Sequence, residues 1–74
     1  MSVCDLKTGK LAYVEKVVGN DKLAKRLMAL GFINGGEVKV KGAAPLGDPI
    51  VLNIKGYDIA IRKKDAANIR IREA

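Results

Sequence analysis

Histidine and tryptophan are absent from this 74-residue chain, and cysteine, serine and threonine occur once each, as Cys4, Ser2 and Thr8. Without imidazole, and with those side chains crowded at the N-terminus, no catalytic triad can be assembled. The eight acidic residues are dispersed singly, so no local spacing sets two carboxylates on one face of an element for general acid and base work. The chain therefore reads as a non-enzyme. The same scatter leaves no metal-ligand set and no cofactor to assign, because ferrous iron is usually held by imidazole together with carboxylate. Cys4 cannot form an internal disulfide and reads as a small apolar residue packed near the N-terminus. Gly35-Gly36 has no lysine and helix after it, so it is no phosphate-cradling loop. Long apolar runs are missing too. The N-terminal residues lack a signal-peptide core and nothing approaches the ~18 residues of a membrane span, from which a cytoplasmic location is expected.

Aromatic side chains amount to Tyr13, Phe32 and Tyr57. Nucleic-acid binding to single strands needs stacking platforms among its cations, and two of these rings, Phe32 and Tyr57, fall at expected inward positions, so nucleic acid is not favoured. A proline-recognising groove of the signalling SH3 type is excluded in the same way.

What the chain does have is 49% apolar residues and a formal charge of +6, from fourteen basic and eight acidic residues. Those values describe one globular domain, residues 1–74, whose single core supplies a net stability of about 3–5 kcal/mol. The charge favours an anionic partner.

Leu11 to Val18 is rich in strand formers and ends at the turn signal Gly19-Asn20. Asn20 or Asp21 can cap a helix over residues 21 to 30, in which Leu23, Leu27 and Leu30 recur on one stripe while Lys22, Lys25, Met28 and Ala29 point away. Gly31 suits a left-handed helix stop, with Phe32 packing back on Leu27. Ile33 to Gly36 reads as a type II turn with Gly35 at its positive-φ position. Three segments then alternate with period two: Val38 and Val40; Ile50, Leu52 and Ile54; Tyr57, Ile59 and Ile61, all inward, with Gly56 marking a tight hairpin. Lys64 to Asn68 allows one helical turn, and Ile69 and Ile71 point inward from a last strand. The segment Gly42 to Pro49 reads as the sizeable loop, apolar and stiffened by its two prolines. Five short strands with one inserted helix are expected to curl into a small SH3-like barrel, mainly β, which removes the exposed edges.

The run Arg26-Leu27, Leu30-Gly31-Phe32, Gly35 and Val38, followed by Ala44-Pro45-Leu46-Gly47-Asp48-Pro49 and Ile59-Ala60-Ile61-Arg62, resembles the FeoA family nearly from end to end. Asn34 departs from it, standing where the family often has proline. The resemblance implies an SH3-like fold and a non-enzymatic, cytosolic accessory role toward FeoB, the membrane ferrous iron transporter with a GTP-hydrolysing domain. It also implies kinship with the C-terminal modules of iron- or manganese-responsive repressors, although no helix-turn-helix precedes it here and the chain reads as standalone. Under that implication the outward residues Lys22, Lys25, Met28 and Ala29, with Ala44 and Leu46 of the loop, are the candidate partner-binding surface. Read from the residues alone, Leu46 suits a plug over the barrel end slightly better than a contact. A basic nucleic-acid-binding barrel and a transition-metal-binding protein remain the alternatives.

Overall fold

The alternating segments become strands wherever one face can be buried, and the computed structural model describes all of residues 1–74. Strand β1 spans Leu11–Val17, helix α1 Asp21–Leu30, β2 Glu37–Ala43, β3 Ile50–Ile54, β4 Tyr57–Ile61, helix α2 Lys63–Ala66 and β5 Ile69–Glu73. All neighbouring strands pair antiparallel in the order β4-β3-β2-β1-β5. Register shifts between Val14 and Lys16 in β1 and between Val40 and Gly42 in β2 mark bulges, which sharpen the twist and let so short a sheet wrap around its core. This is the expected five-stranded SH3-like fold with one inserted helix and a short C-terminal helical turn, except that the sheet does not close: β4 and β5 share no pairing, so the strand edges that closure was expected to remove remain.

Local chemistry sets the boundaries. Asn20 Oδ1 accepts the Leu23 N–H at 2.8 Å, which caps α1. At the other end Gly31 adopts φ 116°, where any Cβ would be strained. The Gly31 N–H then reaches the Met28 carbonyl (3.0 Å) and the Phe32 N–H the Leu27 carbonyl (3.2 Å), a complete Schellman stop. The type II turn follows, closed by Gly36 N–H to the Ile33 carbonyl at 3.0 Å with Gly35 at φ 85°. Between β3 and β4, Lys55 and Gly56 both take positive φ, 52° and 83°, the two-residue hairpin geometry.

A single core joins both sheet halves with α1, and its largest fully buried side chains include Phe32, Leu27, Leu52 and Ile54. Three further expectations need correction. Leu30 belongs to the leucine stripe yet is 43% exposed, because it faces an open groove beside β4, a strand paired on one side only. Tyr57 is 72% exposed although it pairs with the buried Ile54, since it opens the outermost strand at the hairpin end, where nothing covers it. The loop is shorter than expected: Gly42 and Ala43 continue β2 through the bulge, leaving residues 44–49.

The N-terminus holds structure that composition did not announce. Val3–Asp5 forms a 3₁₀ turn in which the Cys4 N–H donates to Ser2 Oγ (3.3 Å) and the Ser2 N–H to Asp5 Oδ2 (2.9 Å). Ser2 bridges to Arg70, and the Ile71 N–H donates to the Met1 carbonyl at 3.0 Å, so this segment lies over the outer edge of β5.

Candidate partner-binding surface

Helix α1 presents Lys22, Lys25, Met28 and Ala29 to solvent because its burial is centred on Leu27. Met28 is 52% exposed. On the β2–β3 loop, Gly47 N–H closes a turn on the Ala44 carbonyl (2.7 Å) and Ala44 N–H bonds the Pro49 carbonyl (3.0 Å). Asp48 Oδ1 accepts the Lys63 N–H at 2.9 Å, which ties the loop to α2 and caps a helix whose own N-cap residue, Arg62, gives no side-chain bond. The tethered loop holds Leu46 out at 97% exposure, so Leu46 is no plug over the barrel end. Ala44, expected outward, is half-buried in the turn. No hydrogen bond, ion pair or cavity joins the helix group to the loop group; they are two patches.

A charged cluster invisible to local spacing sits between α1 and α2. Asp65 is 8% exposed, and its Oδ2 accepts hydrogen bonds from Arg26 Nη2 and Arg62 Nε, each at 3.3 Å, with Arg62 Nη2 in ion-pair contact at 3.2 Å. The aspartate and Arg26 are thirty-nine residues apart, which is why reading the acids as scattered missed them. The two guanidiniums remain 59% and 61% exposed. Water therefore screens the pairs, and their worth is nearer a surface ion pair than a buried one.

Cys4 is half-buried with its Sγ 3.5 Å from the Lys63 carbonyl. Burial pushes its thiol up from the ordinary value, outweighing the Ser2 hydrogen bond and the nearby Lys63 charge that lower it. A thiol in that state is a poor nucleophile and a poor ligand. Asp5 beside it is committed to the Ser2 amide. Across the molecule no three Cys, Asp or Glu side chains converge as a metal ion would require. Of the aromatic rings, Phe32 is fully buried and Tyr13 lies half-buried beneath Arg72, whose guanidinium carbon is 5.7 Å from the ring centre. Tyr57 alone offers an open face. No helix is long and apolar enough to cross a membrane.

The FeoA domain family model matches residues 1–73. The chain belongs to the FeoA family. It is similar, at 35% identity over 71 residues, to the Fe(2+) transport protein A/Fe(2+) transporter FeoB fusion protein of Porphyromonas gingivalis; the match takes in 96% of this chain but only 8% of that relative's length. Among solved structures it superposes on the FeoA protein of Chlorobium tepidum with a TM-score of 0.91 and 37% identity, over 99% of this chain and 70% of that one. The FeoA of Stenotrophomonas maltophilia, solved with zinc and described as a prokaryotic SH3 domain protein, gives 0.85 and 30%, over 97% and 89% of the two chains. This FeoA-family chain thus carries the family's SH3-like architecture over its whole length.

Proposed function

We propose that this protein is a non-enzymatic accessory factor of bacterial ferrous iron uptake. It works in the cytoplasm and reaches the membrane only through its partner, the cytosolic part of a FeoB-like transporter. The observation that carries this reading is the fused relative, in which a counterpart of this chain and a FeoB transporter are one polypeptide. Covalent linkage raises the effective concentration of two modules that must meet, and is useful only where they do.

The contact we assign is the helix patch of Lys22, Lys25, Met28 and Ala29 together with the loop patch around Leu46 and Ala44. The lysines would steer the approach to an acidic face, and Met28 and Leu46 would supply the desolvated contact. Leu46 suits this role because its loop is already held by Asp48, so little entropy is lost when a partner covers it. Patches this small make a weak, salt-sensitive interface. The test is Lys22→Glu with Lys25→Glu, and separately Leu46→Asp, each confirmed as folded and then assayed for binding to the transporter's cytosolic domain and for iron uptake in cells. Both variants are expected to lose binding and uptake. Folded variants that behave as the parent would remove this surface from consideration and turn attention to Arg70 and Arg72.

A further inference from the structure

The two outer strands of the sheet are treated differently. The β5 edge is covered, since the N-terminal segment bonds across it through Ser2, Arg70 and the Ile71 N–H. The β4 edge is not. The Lys55-Gly56 hairpin makes Ile54 and Tyr57 a hydrogen-bonded pair, so alternation along the ladder turns the N–H and C=O of Asp58 and Ala60 away from β3. Neither residue's backbone bonds to any loop, turn or helix. An unpaired strand edge is a template for another extended chain.

Beside Ala60 runs a groove between β4 and α1 of about 210 Å³, whose walls include Leu27, Leu30, Ile59 and Ile61. At its far end stand Arg26, Arg62 and Asp65, and beyond them a second concavity of about 370 Å³ adds Lys22 and Asn20. Two guanidiniums share one oxygen of one carboxylate there, which leaves a unit of positive charge. Each guanidinium also keeps most of its N–H donors for a further acceptor. The exposed Leu30 and the half-buried Ile59 give the groove an apolar floor that this chain does not itself fill.

We propose that the groove between α1 and β4 binds an extended acidic segment of a partner protein. The segment's backbone pairs with Ala60, one apolar side chain enters between Leu30 and Ile59, and a carboxylate is received by Arg26 and Arg62. Strand addition with side-chain pockets on one face is an established mode of peptide recognition. A second copy of this chain is the wrong occupant, because two molecules each carrying +6 repel one another. The site lies on the Arg26–Leu30 side of α1, away from Lys25, Met28 and the Leu46 loop; Lys22 alone borders both surfaces, and no group named in the proposed contacts belongs to the other one.

The experiment titrates the isotopically labelled full chain with the blocked peptide acetyl-Glu-Val-Glu-Val-Glu-Val-amide and follows backbone amide shifts by NMR. Two control peptides replace glutamate by lysine, or methylate alternate backbone nitrogens. Saturable shifts confined to Ile59–Arg62 and Arg26–Leu30 are expected. Arg26→Gln and Arg62→Gln, each with a native-like spectrum, should each weaken binding about tenfold, as loss of a charge-assisted hydrogen bond does. Lysine or backbone methylation in the peptide should abolish it. Equal binding of all three peptides, shifts centred on Lys22 and Lys25 or on Leu46, or no saturation at millimolar peptide would each overturn the proposal. Should either arginine variant lose its fold, the peptide controls on the parent protein still decide the matter.

Discussion

Leu27 and Leu30 occupy equivalent places in the periodicity of α1, yet Leu27 is 1% exposed and Leu30 is 43% exposed. Truncating each to alanine turns that difference into a measurable one. At Leu27 the loss comprises the transfer free energy of the side chain plus a cavity among Phe32, Leu52 and their neighbours, together about 2–5 kcal/mol. At Leu30 only part of the side chain leaves water on folding and no cavity remains, so the cost is ~1 kcal/mol or less. Against a net stability of about 3–5 kcal/mol the first change removes most of the margin and the second little of it. With each kcal/mol shifting the midpoint by roughly 4–8 °C for a domain of this size, Leu30→Ala should melt within about 8 °C of the parent. Leu27→Ala should melt well below that or be partly unfolded at room temperature. Far-UV circular dichroism during heating and urea titration gives both numbers, and an unchanged urea slope would show that the comparison is of stabilities alone. Equal losses for the two leucines, or a Leu27→Ala midpoint within a degree or two of the parent, would refute the burial assigned to α1.

Asp65→Asn should cost about 1 kcal/mol, since both arginine partners are half in water, and most of that loss should vanish in a background that also carries Arg26→Gln and Arg62→Gln; a thermal-melt cycle checks it. Asp48→Ala removes the cap on α2 and frees the β2–β3 loop, so a loss of roughly 0.5–2 kcal/mol is expected together with faster hydrogen exchange at the Lys63 amide. Because burial raises the Cys4 thiol, the folded chain should react with iodoacetamide at pH 8 more slowly than the urea-unfolded chain, as followed by mass spectrometry. The same shift has a stability sign: the contribution is complete below the unfolded thiol's pKa and fades as pH rises through the folded one, and Cys4→Ala should remove that alkaline loss.

Features decided within a few residues were legible in the order of amino acids. Asn20 caps α1, Gly31 ends it, Gly35 makes the turn and Gly56 the hairpin, each because a donor or a positive φ is needed at that spot. The inward sets of β2 and β3 were legible for the same reason, since both strands have neighbours on two sides. Leu30 and Tyr57 were not, because their pattern is that of buried residues and only the position of β4 at the rim leaves them uncovered. The candidate contact residues were found individually as exposed, save Ala44, but whether helix and loop make one patch depends on how the β2–β3 loop is tethered, a matter of Asp48 meeting Lys63 fifteen residues on. The cluster at Asp65 and the 3₁₀ turn at Ser2 escaped for a related reason. The first spans distant segments, and the second is a polar exchange with no hydrophobic rhythm to announce it.

Strand β1 is held on one side by β2 and on the other by β5, and the pairs Val14–Ile71 and Ala12–Glu73 join the two ends of the domain. A nascent chain emerging from the ribosome therefore carries a hydrophobic first strand with one flank open until residue 73 has cleared the exit tunnel. Early hairpins such as that at Lys55-Gly56 can form on the way, but β1 cannot be paired on both sides, and non-local pairing of this kind is slow and aggregation-prone. A premature stop or a proteolytic cut anywhere before Ile69 would leave β1 half paired, so damage to a few residues at one end should be felt as loss of the entire fold.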